Sequence, residues 1–208
     1  MAWPRSCILT SFTFILLQLS SVAAQNGGKL TVGQSLRATG NGSSLLSPSG
    51  DFAFGFHQFP NNNDLFLLAI WYAKIPDTIV CDPQGTSLWS TTDAKKSGEA
   101  VNYGFMNDTG NFVLNSETDD AVWQSFDNPT DTLLPTQILQ AGGQLHSRQS
   151  ETNFTQGRFQ LRLQSDGNLV LNTRDLATGY AYDPYYASNT VADGNPESAG
   201  DRVVSAKK

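Results

Sequence analysis

Gln164, Asp166, Asn168, Val170 and Asn172 occupy every second position of one run, Gln-Ser-Asp-Gly-Asn-Leu-Val-Leu-Asn. Side chains two apart on an extended chain share a face, so this spacing gathers a carboxylate, several amides and a small aliphatic group. Amides both donate and accept, and a carboxylate accepts from two hydroxyls at once. Charge-assisted bonds of this kind are the stronger ones. An aliphatic side chain packs on the C–H face of a ring. The mixture suits recognition of a polyhydroxylated ring. From this run alone the plainer reading is favoured, a polar solvent face on an ordinary hairpin, because Asp-Gly turns between alternating strands are common.

Two strands and a turn must position these residues. Phe159, Leu161 and Leu163 alternate with Gln160, Arg162 and Gln164, the period of a half-buried strand. Ser165-Asp166-Gly167 is turn chemistry, since glycine accepts positive φ and aspartate bonds its own backbone. Beyond it Leu169 and Leu171 alternate with Asn168, Val170 and Asn172. The pattern predicts a hairpin with the leucines on the core face. Gln164, Asn168, Val170 and Asn172 then share the outer face, with Asp166 at the corner. A degraded copy lies upstream, Asn107-Asp-Thr-Gly-Asn-Phe-Val-Leu-Asn115. Only Asn111 and Val113 match there. Thr109 stands for the aspartate and Asn107 for the glutamine, so this copy reads as a structural hairpin.

The better copy is similar to the mannose motif of bulb-type, monocot mannose-binding lectins, Q-x-D-x-N-x-V-x-Y, with Asn172 in place of the final Tyr. Three further segments resemble the ectodomains of plant S-domain (G-type lectin) receptor-like kinases. They are Leu46-Ser-Pro-Ser-Gly-Asp-Phe-Ala-Phe-Gly-Phe56, Ile70-Trp-Tyr-Ala-Lys-Ile-Pro76 and Trp123-Gln-Ser-Phe-Asp-Asn-Pro-Thr-Asp-Thr-Leu-Leu-Pro135. The resemblance runs from about Leu30 to Tyr186. It implies an all-β, β-prism II fold and weak binding of mannose-type glycans through Gln164, Asp166, Asn168, Val170 and Asn172. The missing Tyr normally adds a hydroxyl bond and a ring face, so Asn172→Tyr should strengthen binding. By the same resemblance, Ile75–Val80 should lead into a Trp-bearing strand and one complete mannose-type hairpin. That block is missing, which amounts to an internal deletion and leaves an open edge at Val80–Cys81.

Composition bounds the remaining readings. The chain has 208 residues and a net charge of −6. Residues 1–24 read as a secretory signal, with Arg5 as the positive region, Ile8 to Leu19 as the apolar stretch and Val22-Ala-Ala24 before the cut. No later segment approaches the ~20 apolar residues of a membrane-spanning helix. A secreted, extracellular product without a transmembrane segment beyond the signal is expected. Without Arg5, 12 basic residues face 19 acidic ones, and this acidic, unclustered surface argues against nucleic acid as partner. Cys7 lies in the signal, so the mature chain keeps Cys81 as a lone thiol, a flag for intermolecular pairing. Sequons at Asn41, Asn107 and Asn153 predict N-glycosylation. His57 and His146 are isolated, no Ser-His-Asp order or metal spacing stands out, and no Gly-rich loop or His-Arg-Asp run is present. An enzyme is therefore not expected, nor is any cofactor or metal.

Helical periodicity is nearly absent, and short apolar runs punctuated by Gly, Pro, Asn and Asp indicate all-β. Asn61-Asn-Asn-Asp64 reads as a loop between strands Phe52–Phe56 and Leu65–Trp71. Trp89 and Trp123 each close a polar turn and are expected in the prism interior. The organisation is a signal (1–24), a shortened lectin-like unit (25–128), a partial second unit (129–186) and a disordered tail (187–208). The rival to sugar recognition is a non-sugar recognition or self-association module, or a non-functional truncated product.

Overall fold

The computed structural model describes residues 28–39, 44–59, 62–75, 79–81, 100–151, 153–190 and 203–205. The expected signal, the Asn41 sequon and Trp89 lie outside them. Regular structure is almost entirely strand, as the apolar spacing predicts. The elements are β1 (Lys29–Thr31), β2 (Ser44–Leu46), β3 (Phe52–Phe59), β4 (Asn62–Tyr72), β5 (Ile79–Cys81), β6 (Tyr103–Met106), β7 (Phe112–Asn115) and β8 (Ala121–Gln124). A 3-10 turn at Ser125–Asp127 leads on to β9 (Ile138–Leu139), β10 (Gln144–Arg148), β11 (Gln156–Leu163), β12 (Leu169–Thr173), β13 (Tyr186–Ala187) and β14 (Val204–Ser205). Every pairing between these strands is antiparallel.

Two four-stranded sheets build the first unit, in the orders β2-β3-β4-β5 and β1-β6-β7-β8. They close on one core of Leu45, Phe52, Ile70, Met106, Phe112 and Leu134. Phe54 stacks on Phe112 across the two sheets with ring centroids 3.8 Å apart. Trp123 packs against this cluster, in the interior role expected for it. Among the described residues the unit has these two sheets and no third face. Among the described residues β5 pairs only with β4, through Ile70 opposite Cys81 and Trp71 opposite Ile79.

The second unit is one four-stranded sheet, β10-β11-β12-β13, beside the two-stranded pair β14-β9. Two expectations need correction. Asn62, Asn63 and Asp64 are strand rather than loop: the β3–β4 ladder runs on to Phe59 opposite Asn62, with a register shift after Gln58. The Gln58 side chain donates to the Asn63 carbonyl at 2.9 Å and helps hold that extension. The tail is not wholly disordered either. Val204 pairs with Leu139 and Ser205 with Ile138, because a short β-branched stretch can add to a free strand edge despite polar flanks.

Candidate functional site

The Gln164 hairpin forms as its alternation requires. Phe159 to Leu163 pairs with Leu169 to Thr173, Leu161 lying opposite Leu171 and Arg162 opposite Val170. Gly167 takes φ +84°, and its N–H donates to the Gln164 carbonyl at 2.9 Å. Asp166 Oδ1 accepts the Asn168 N–H at 2.9 Å, so the carboxylate holds the turn with one oxygen. Its Oδ2 has no partner among the described residues, and the side chain is exposed at the tip of the hairpin. The five predicted residues thus share one hairpin, but not equally. Asp166 is exposed and Gln164 and Asn168 are half-buried, whereas Val170 and Asn172 are buried at 2% and 1% exposure. The outer-face expectation therefore fails at these two positions. Asn172 lies in a row across three strands, His146–Gln160–Asn172, where neighbouring polar chains cover it. Its Nδ2 donates to Gln160 Oε1 at 3.1 Å and to the Thr173 carbonyl at 3.2 Å.

The upstream copy repeats this geometry closely. Gly110 takes φ +87°, Val113 is buried like Val170, and Asn115 is buried like Asn172. Asn115 Nδ2 donates to Tyr103 Oη at 3.0 Å, as Asn172 does to Gln160. Both asparagines keep a buried Oδ1 without a partner among the described residues. A side-chain lock that the sequence reading missed also recurs. Phe112 N–H donates to Ser125 Oγ, whose hydroxyl donates to Asn111 Oδ1, at 2.9 and 3.0 Å. Leu169 N–H donates to Ser188 Oγ, whose hydroxyl donates to Asn168 Oδ1, at 2.9 and 3.0 Å. The third residue of the motif therefore ties its hairpin to the serine just past the end of the next strand in both copies. Asn111 goes further, accepting the Phe126 N–H and donating to Gln124 Oε1, which supports reading that copy as structural.

His146 is not isolated in space. Its Nδ1 lies 3.2 Å from Arg174 Nη1 and its Nε2 faces Gln160. Burial first, then the charges of Arg174 and Arg162, push its pKa down to about 4 from 6.5. The folded imidazole stays neutral while the unfolded one takes up a proton. Its contribution to stability is full above pH 6.5 and is lost as pH falls toward about 4, by on the order of 2–3 kcal/mol. Asp51, Asp108 and Asp175 are held below the usual 3.8 by the Lys74 side chain, the Ser49 N–H and the Thr178 N–H respectively, so their contributions fall away only at lower pH. Urea melts across the histidine window are expected to show a loss of stability that His146→Gln removes.

A separate cleft of about 460 Å³ lies at the junction of the units, lined by Gln124, Phe126, Asp127, Pro129, Ile138 and Gln140 among others. None of the five motif residues borders it. Among the described residues no group of three or more histidine, cysteine or acidic side chains could hold a metal. No helix among them is long and apolar enough to cross a membrane.

Comparisons with known proteins identify the family. The family described as D-mannose binding lectin matches residues 74–153. The G-type lectin S-receptor-like serine/threonine-protein kinase LECRK3 of Oryza sativa subsp. indica is 38% identical over 217 residues, covering 87% of this chain and 26% of that protein. The chain carries a bulb-type lectin domain. RLK1 of Arabidopsis thaliana, a kinase of the same description, is 39% identical over 234 residues, covering 92% of this chain and 28% of its own length. This chain thus spans about a quarter of the length of the curated relatives it matches. The 217 positions aligned with the rice protein exceed 87% of 208 residues by about 36. The relative therefore has residues within the aligned span that this chain lacks. The family match includes the Asn107 hairpin and stops before the Gln164 hairpin. Among solved structures, the Japanese Marasmius oreades lectin aligns at 17% identity and a TM-score of 0.19, over 78% of this chain and 91% of that one, an overlap too loose to bear on the argument.

Proposed function

We propose that this chain is a secreted lectin-like protein that binds mannose-type glycans weakly and catalyses no reaction, and that it corresponds to a shortened receptor-kinase ectodomain with β-prism II ancestry. One observation carries the reading. Gln164, Asp166 and Asn168 converge at one hairpin tip, where Asp166 is exposed with Oδ2 unengaged. A carboxylate flanked by amides can take a pair of vicinal hydroxyls. Binding is weak because Asn168 Oδ1 already accepts from Ser188, and Val170 and Asn172 are covered rather than presented. A glycan array on folded, glycosylated protein tests this, with retention by mannose-type glycans expected. The coverage of Val170 and Asn172 favours the second reading, non-sugar recognition or self-association, and absence of array signal from folded protein selects it.

Glycosylation belongs to the same proposal. Asn107 Oδ1 accepts from Thr109 N–H and Oγ1 at 3.0 and 2.6 Å, and Asn153 Oδ1 from Thr155 N–H and Oγ1 at 3.1 and 2.7 Å. Both turns rest on the oxygen, and although Asn153 Nδ2 donates to the exposed Gln149 Oε1 at 3.3 Å, that bond uses one of its two hydrogens and leaves the other position for a glycan. Enzymatic deglycosylation of secreted protein is expected to lower its mass, and Asn153→Gln and Asn107→Gln to remove one step each.

A further inference from the structure

The cleft at the junction of the units is held open by its own hydrogen bonds. Residues 124–129 and 136–143 wall it. Gln137, buried at 2% exposure, clamps the two walls together. Its Nε2 donates to the Phe126 carbonyl at 3.1 Å, and its Oε1 accepts the Leu134 N–H at 2.9 Å. Leu163 fixes the far end of the second wall. Its N–H donates to the Gly143 carbonyl at 3.0 Å, and its carbonyl accepts the Gly142 N–H at 2.7 Å. The volume of about 460 Å³ falls in the range of about 300–1,000 Å³ typical of small-ligand sites.

A relay of amides sets a carboxylate in this cleft. Asn111 Nδ2 donates to Gln124 Oε1 at 2.9 Å, and Gln124 Nε2 donates to Asp127 Oδ1 at 3.0 Å. The asparagine retained in the degraded motif copy thus orients a residue of the cleft. Asp127 is exposed, and its Oδ2 has no partner among the described residues. The Thr136 hydroxyl and the Gln140 amide are exposed and equally unengaged among them. Phe126, Pro129, Leu139 and the 45% exposed Ile138 supply an apolar wall. Thr136 also sits at φ +75°. The other described non-glycine residues at positive φ are Asp119 and Asn189, types that tolerate it. A β-branched residue there is strained, and such strain gathers at ligand sites. Glycine would relieve it, so what threonine adds is a hydroxyl at the cleft.

We propose that this cleft is a second carbohydrate subsite that takes one neutral sugar ring, with Asp127 as its charged acceptor. The lining decides the class of ligand. Asp127 is the only charged group among the described residues that line the cleft, so an anionic ligand meets repulsion and no cation. A cationic ligand brings donors alone and leaves the Gln140 amide hydrogens without an acceptor. Sugar hydroxyls both donate and accept, which matches Asp127 Oδ2, the Thr136 hydroxyl and the Gln140 amide. The C–H face of the ring covers the apolar wall. The assignment extends the carbohydrate reading above but uses none of the hairpin-tip residues. One ring held this way is expected to bind with a Kd on the order of 1 mM. That is too weak to survive the washing of an array, so retention there still depends on Asp166.

Amide NMR of the full, isotope-labelled chain, titrated with the methyl glycosides of mannose, glucose and galactose, tests the proposal. The Thr136, Gln140 and Gly143 amide signals are expected to shift saturably with at least one of them. Asp127→Asn keeps an oxygen for Gln124 and removes the charge, so it should weaken this binding roughly tenfold or more. Asp166→Asn should leave the cleft shifts unchanged. Thr136→Gly should melt no lower than the parent, because the backbone strain is relieved, yet bind several-fold more weakly. Cleft shifts without any shift of Gly167 and Asn168 support this site while overturning the hairpin-tip reading. No saturable cleft shift with any of the three sugars up to about 100 mM overturns the subsite. So do shifts that are unchanged in Asp127→Asn, and shifts seen only with methylammonium or methyl glucuronide.

Discussion

Gly110→Ala is expected to destabilise the protein by roughly 2–5 kcal/mol, combining left-handed strain of about 1–2 with overpacking of about 1–3. Gly110 sits at φ +87°, a region that costs any residue with a Cβ. An added methyl group would lie 2.6 Å from Leu134 Cδ1 and 2.8 Å from Phe52 Cε1. Neither neighbour has room to withdraw, because both are buried members of the core cluster. Leu134 comes from the linker and Phe52 from the opposite sheet, so the turn is where hairpin, sheet and linker meet. Gly50→Ala provides the comparison. Its φ is +70° but nothing lies within 4 Å of the added atom, so only the strain of about 1–2 kcal/mol applies. Urea melts of the two variants separate the effects, and equal losses would show that the Gly110 contact is not a stability determinant.

The parts of this fold that were legible in the sequence are those written in local chemistry. Asp-Gly and Thr-Gly turns between period-two strands located both hairpins, and the Trp123 pattern placed that ring in the core. Elements that depend on distant strands were not legible. The Asn111–Ser125 and Asn168–Ser188 locks do the same work but span loops of different length, so no fixed spacing marks them. The alternation showed that Val170 and Asn172 share a face with Gln164. Whether that face is open depends on Gln160 and His146, which reach it only through cross-strand register. The same register gives His146 the Arg174 and Gln160 neighbours that a lone histidine in sequence cannot reveal. Val204 and Ser205 were read as tail from the polar composition around them, and their pairing depends on the free edge of β9.

Asp166→Ala should abolish carbohydrate retention, since it removes the charged acceptor at the hairpin tip and with it bonds worth about 1.5–3 kcal/mol each. Alanine alone leaves an ambiguity, because Asp166 Oδ1 also accepts the Asn168 N–H. Asp166→Asn resolves it, keeping an oxygen for the turn while removing the charge. The upstream copy indicates that the turn tolerates such a change. Thr109 stands at the aspartate position there, and Asn107 Oδ1 accepts the Asn111 N–H at 3.0 Å instead. Asp166→Asn is therefore expected to melt like the parent and to bind roughly tenfold or more weakly. The structure reverses the expectation for Asn172→Tyr. Asn172 is 1% exposed and bonded to Gln160, so a tyrosine there must displace the polar row, at about 1–3 kcal/mol of stability, instead of adding a ring to an open site. No gain in affinity should follow. If glycan-array signal survives in Asp166→Ala, the ligand sits elsewhere on the chain. If the signal favours acidic glycans over mannose, the ligand class is wrong, because a bare carboxylate at the tip repels an acidic sugar.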